Sequence, residues 1–158
     1  MHKAIILTVS DSCAAGQKED VSGKLLLQLL TDSGFEVISK LIIPDDKDQI
    51  IRYLSSYATS KNVPLVITIG GTGIGPKDVT PEATREVIEK EIAGISELMR
   101  YKGSLSAPQA YLSRAIAGIK NQTLFINFPG SPKAVQESFD AIIDILFHAL
   151  SIVKGEPH

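Results

Sequence analysis

Val66 to Thr84 reads VITIGGTGIGPKDVTPEAT: a largely apolar run, four glycines at positions 70, 71, 73 and 75, and then a helix start. An apolar run without polar alternation suits a strand covered on both faces, as in a parallel sheet. The glycines let backbone N–H groups converge on an anion where side chains would block the approach. In open α/β sheets such strand-to-helix turns lie at the carboxyl edge, where ligands bind. This one segment therefore points to an α/β chain with an anion site at the turn, the alternative being a tight glycine turn that holds no ligand.

The remaining sequence agrees. Ala4 to Val9 is another continuous apolar run, and Leu25, Leu26, Leu29 and Leu30 mark a helix over Ser22 to Ser33 that stops at Gly34. FEVISKLII predicts a second strand, stopped by Pro44. Ile50, Ile51, Leu54, Tyr57 and Ala58 draw one apolar stripe on a helix from Lys47 to Ser60, and VPLVITI is the third strand. After the glycines, Thr80 is the expected N-cap and Pro81 the first helical residue, with Glu82 in the first turn. That helix is expected to run to about Ile92 and close at Gly94, with a further turn or two over Ile95 to Tyr101. KGSLSAPQAYLSR has no periodicity and is a functional-loop candidate. RAIAGI and QTLFINF form a candidate hairpin that adds an antiparallel edge. The last helix starts with Ser131 as N-cap and Pro132 at the first position, and buries Val135, Phe139, Ile142, Ile143, Leu146 and Leu150. Alternating strands and helices predict a three-layer α/β/α sandwich with a mostly parallel sheet, in one domain over residues 1–158.

Composition narrows the function. Sixteen Lys and Arg against eighteen Asp and Glu give a net charge of −2, so no basic field draws in nucleic acid, and an anion must be held locally. No apolar run is long enough for a membrane span, and a single cysteine, Cys13, excludes an internal disulfide framework, which makes the cytoplasm the expected compartment. Cys13 has no histidine near it in sequence, since the three are His2, His148 and His158, so a Cys–His hydrolase or histidine metal site is not favoured.

Two familiar phosphate motifs fail on the glycine segment. The dinucleotide spacing meets Pro76 or Asp78 where its third glycine belongs, and the P-loop spacing from Gly70 to Gly75 is followed by Pro76 and has Asp78 in place of the magnesium-binding hydroxyl. A carboxylate beside a phosphate repels it unless a divalent cation lies between, so Asp78 is either a Mg²⁺ ligand or the acceptor of a local Asx turn. Asp45, after the second strand, would project from the same edge, either as a second carboxylate or as a helix N-cap in competition with Asp46. Ser10 and Asp11 end the first strand on that edge too. Ser113-Arg114 offers a guanidinium suited to phosphate, or an ordinary solvated pair.

Together LTVSDS, Ser22-Gly23, Pro44-Asp45, GGTGIGPKDVTPEAT, Leu112-Ser113-Arg114 and NFPGSPKAVQE, in this order across nearly the whole chain, resemble the molybdopterin adenylyltransferase family, which includes bacterial molybdenum cofactor biosynthesis proteins and the G domain of gephyrin. The resemblance implies a homotrimer that adenylylates molybdopterin with Mg-ATP and releases pyrophosphate. It implies Asp45 and Asp78 as catalytic and Mg²⁺-linked, with Ser113, Ser104 and Arg114 toward molybdopterin. Ser10, Asp11, Gly70, Gly71, Thr72 and Gly73 would lie toward the nucleotide, as would Asn127, Pro129, Gly130 and Ser131. A molybdate-inserting protein is an implied partner. The alternatives are a non-catalytic molybdopterin-binding or scaffold paralogue, and a related nucleotide pyrophosphatase or deamidase.

Overall fold

The computed structural model describes residues 1–60 and 62–157, so His158 lies outside the described residues. Six strands form one sheet: β1 (Lys3–Val9), β2 (Glu36–Ile43), β3 (Leu65–Ile69), β4 (Lys90–Glu91), β5 (Ala117–Lys120) and β6 (Thr123–Phe128). Their order is β2-β1-β3-β6-β5-β4. The first four in that order are parallel, while β5 runs antiparallel to both β6 and β4.

Side-chain alternation divides the core into two. Ala4, Ile6, Leu65, Ile67, Leu124, Ile126 and Phe128 face one side, against α2 (Val21–Asp32), α5 (Ala93–Ser104) and α6 (Pro132–Val153). Ile5, Leu7, Val9, Val66 and Phe125 face the other, against α3 (Lys47–Thr59) and α4 (Thr80–Val87). This is the expected three-layer sandwich. A four-residue helix, α1 (Asp11–Ala14), follows β1 and carries Cys13. No helix among the described residues is long and apolar enough to cross a membrane.

Several boundaries differ from the sequence expectation. The N-cap of α2 is Asp20, one residue before Val21, and Asp46 rather than Asp45 caps α3, accepting from the Gln49 amide at 3.1 Å. Thr80 is the first residue of α4, not its cap. Its amide donates to the Gly71 carbonyl at 3.1 Å, so backbone docking to the glycine turn does the work of a side-chain cap. The helix stops at Val87 because the chain is captured by the sheet: the Glu89 amide donates to Ile119 O and the Ile92 amide to Ala117 O. Gly94 therefore lies in the first turn of α5, which runs to Ser104, and Pro108–Leu112 forms a 3₁₀ helix inside the segment that lacked periodicity. The β5–β6 turn is Asn121-Gln122, with Asn121 in the left-handed region at φ 54° and its side-chain amide donating to Ala58 O.

One buried polar network crosses the α4 face of the sheet. Asn127, fully buried in β6, donates from Nδ2 to Thr68 Oγ1 on β3 and to Thr84 Oγ1 on α4, both at 2.9 Å, and accepts from the Ile116 amide. The Thr84 hydroxyl in turn donates to Thr80 O at 2.8 Å. Directional bonds in an otherwise apolar layer fix α4 in one position on the sheet. Replacing Asn127 with Ala should lower unfolding free energy by about 3 kcal/mol, since several buried groups lose their partner. The opposite sign is expected at Tyr57, whose buried hydroxyl has no hydrogen-bond partner among the described residues and whose pKa burial pushes up to about 12. Tyr57→Phe should gain about 1 kcal/mol. Urea unfolding with an unchanged slope checks both.

Candidate functional site

β3 and β6 are neighbours in the sheet, yet the helices that follow them lie on opposite faces, α4 with one core and α6 with the other. The two chains part as they leave the carboxyl edge, and a crevice opens between them. The ends of β1 and β2 come to the same edge because all four strands are parallel.

The glycine turn is forced by crowding. Gly70 has φ 96°, its amide donates to Phe128 O at 3.0 Å, and a Cβ there would collide with the Val9 carbonyl oxygen. Gly71 has φ 69°, and a Cβ would collide with Thr80 Oγ1 and lie 3.3 Å from Asp45 Oδ1. Only glycine fits both positions. Thr80 Oγ1 is fully buried and has no partner among the described residues, so an unsatisfied hydroxyl and a carboxylate oxygen meet at the Gly71 Cα.

Asp45 and Asp11 brace each other across two loops. The Asp11 amide donates to Asp45 Oδ2 at 3.0 Å and the Asp45 amide donates to Asp11 Oδ1 at 2.9 Å. Burial pushes the Asp45 pKa up. The Asp11 amide opposes this, the negative charges of Asp11 and Asp78 add to it, and Lys77 opposes it weakly. Asp78 Oδ2 accepts from the Gly75 amide at 2.9 Å, the predicted Asx-type contact, and still lines the cleft. The two readings of Asp78 are therefore compatible.

No group of three or more His, Cys, Asp or Glu among the described residues is gathered tightly enough to hold a metal by itself. Mg²⁺ does not need such a cage, being held by one or two carboxylates, waters and substrate phosphates. Asp45, whose charge is disfavoured by that of Asp78, with the unsatisfied Thr80 hydroxyl nearby, fits a cation of that kind together with Asp78.

A cleft of about 700 Å³ extends from the glycine turn to α5 and α6. It brings together Gly71, Thr72, Gly73, Asp78, Ser113, Pro129, Gly130 and Ser131. Ser10, Asp11, Asp45 and Gly70 stand on the same edge outside this lining. Ser10 caps α1 by accepting from the Cys13 amide, and Ser131 caps α6 by accepting from the Ala134 amide at 3.1 Å. Asn127 lies beneath the site with no exposed surface, so it acts through Thr68 and Thr84. Ser104 is outside the cleft lining, its hydroxyl donating to Tyr101 O at the end of α5. Arg114 is also outside the lining, its guanidinium bonded to Glu82 and to carbonyls of the glycine loop.

Several residues at the site escaped the sequence reading. Ser96, Met99 and Arg100 of α5 and Ser138 of α6 line the inner cleft, and Arg100 Nη1 donates to Ala115 O at 2.8 Å. Their signal was present: Ser96, Met99, Arg100 and Gly103 fall on one helical stripe of mixed polarity. Asp20 is buried at the α2 N-terminus, accepting from Thr8 Oγ1 and the Gly23 amide and paired with Lys40 at 3.3 Å. Ser22 Oγ donates to Gly130 O at 2.6 Å and so ties α2 to the β6–α6 turn.

A family model described as a probable molybdopterin binding domain matches residues 5–148. Over 153 residues the chain is 40% identical to the molybdenum cofactor synthesis protein cinnamon of Drosophila melanogaster, covering 96% of this chain and 25% of that protein. It is 36% identical over 152 residues to a molybdopterin adenylyltransferase of Helicobacter pylori, covering 95% of this chain and 86% of that one. The chain thus spans a quarter of the insect relative and most of the bacterial one. Its fold matches that of the molybdopterin biosynthesis enzyme MoaB of Thermus thermophilus with a TM-score of 0.93, at 42% identity and 99% coverage of both chains.

Proposed function

We propose an activity from the premise that this chain belongs to the probable molybdopterin binding domain family and works in molybdenum cofactor biosynthesis. The activity is adenylylation of molybdopterin by Mg-ATP. A terminal phosphate oxygen of molybdopterin attacks the α-phosphorus of ATP, a new P–O bond forms, the bond to the bridging oxygen breaks, and pyrophosphate leaves. The nucleophile comes from the substrate, so no activated serine, cysteine or histidine is required of the protein. The observation that carries this reading is that Asp45 and Asp78 stand about one crowded glycine turn, which with Asp78 lines a cleft of about 700 Å³.

The roles follow from position. The Gly71 to Gly73 backbone and the Pro129 to Ser131 turn would orient the phosphates, and Ser113, which also lines the cleft, would face molybdopterin. In-line placement of two substrates within one cleft supplies much of the rate. Asp45 and Asp78 would hold Mg²⁺, which supplies neutralisation of phosphate charge when bound. The enzyme would be cytoplasmic and would pass its product to a molybdate-inserting protein.

Incubation with molybdopterin, ATP and Mg²⁺ should give adenylylated molybdopterin and pyrophosphate. Molybdopterin binding without turnover would instead support the non-catalytic paralogue, and ATP hydrolysis without transfer the pyrophosphatase. Asp78→Asn and Asp45→Asn should each lower kcat by about 100-fold or more while circular dichroism stays that of the parent chain. A homotrimer is expected from the resemblance, and its check is the molar mass by light scattering.

A further inference from the structure

The geometry points to Arg114 as a positioning residue that clamps the glycine loop, not as a substrate ligand. The inference rests on the proposed transfer reaction for its kinetic consequence, though not for its structural content. The Arg114 amide donates to Thr72 O at 2.8 Å. Its Nε donates to Gly73 O at 2.7 Å and its Nη2 to Asp78 O at 2.9 Å. The same fork grips Glu82, with Nη1 to Oε2 at 2.6 Å and Nη2 to Oε1 at 3.1 Å. One residue thus holds the start of the loop, its far end, and the first turn of α4.

Arginine alone suits this arrangement, since its planar fork carries five fixed donors and a lysine ammonium cannot reach three elements at once. Four of the guanidinium N–H directions are used, and binding a phosphate bidentately would require the Glu82 pair to open. The pairing is reciprocal in charge: Arg114 holds the Glu82 carboxyl below its usual range. Inside the clamp, Asp78 closes the loop by accepting from Gly75. The clamp therefore sets where the Asp78 side chain can stand. The pair is partly exposed, with side-chain exposures of 37% and 44%, so it adds little to global stability. Its effect should fall on geometry, where a displacement of about 1 Å can cost about 100-fold in rate.

The test uses the full chain with Arg114→Lys, Arg114→Gln, Glu82→Gln and the Glu82→Gln/Arg114→Lys double variant. Without substrate, hydrogen exchange at the Gly75 and Asp78 amides should speed up about tenfold or more in every variant, while the amides of β3 and β6 keep the parent rates. With substrates, kcat should fall by about 10- to 100-fold with KM for ATP and molybdopterin within about threefold of the parent, and the double variant should be no worse than Arg114→Lys alone. Unchanged loop exchange, or a KM raised tenfold in Arg114→Lys with Glu82→Gln behaving as the parent, would overturn the clamp and return Arg114 to direct substrate contact. If Arg114→Gln does not fold, Glu82→Gln carries the same exchange test. The exchange measurement uses no substrate, so it decides the clamp even if the adenylyl transfer reading fails.

Discussion

Gly70 leaves β3 so close to the end of β1 that no side chain fits between its Cα and the Val9 carbonyl, and Gly71 is pressed in the same way against Thr80 and Asp45. The turn is a wedge of bare backbone between three elements. Because it is thin, β3 can hand the chain to α4 on one face while β6, its neighbour, hands the chain to α6 on the other. The crevice between them exists only where the chain can divide in that way. A side chain at Gly70 would press on the end of β1 and one at Gly71 on the start of α4 and on Asp45, and Asp45 and Asp78 would lose their common neighbourhood.

The layer beneath keeps that wedge in place. Asn127 joins β6 to β3 and α4, Thr84 returns a bond to Thr80 O, and Thr80 docks on Gly71 O through its amide. On the other side, Ser22 holds Gly130 O, and α2 is itself anchored by buried Asp20. Rigid supports lie in the core and the loops that line the cleft lie at its edge. Sites set on regular elements hold their geometry better than sites on free loops.

The architecture was legible because it depends on repeating patterns: largely apolar runs for β1 and β3, an apolar stripe on α6, and Pro132 at a helix start. The glycine turn and the acidic edge were legible because glycine and aspartate mark special backbone and charge. What was hidden depended on pairing between distant segments. The early end of α4 follows from Glu89 and Ile92 bonding to β5, about thirty positions away, and no local signal announces it. The use of Arg114 was hidden likewise: beside Ser113 it reads as a free cation, and only the fold brings Glu82 to it across 32 positions. Asn127 in a strand of apolar neighbours gave a hint of polarity, but whether it met ligand or core could be decided only by its burial.

On the proposed reaction, charge explains how an acidic site would serve an anionic substrate. The guanidinium that grips the glycine loop, that of Arg114, is committed to Glu82, and Lys77 pairs with Asp11 at 3.6 Å on the outer edge. The loop therefore brings more negative than positive charge to the turn, and the Asp45 pKa, raised first by burial, is raised further by the charges of Asp11 and Asp78. At the turn itself backbone N–H groups are weak compensation for phosphate charge, since the cations that line the cleft, Arg100 and Lys133, stand on α5 and α6. Such a site would favour, on the proposed reaction, an ATP that arrives with its own divalent cation over one that arrives bare, because the cation would turn the repulsion of Asp45 and Asp78 into attraction. On the proposed reaction, an acidic edge that is out of place for binding bare phosphate becomes a means of selecting the metal-bound nucleotide.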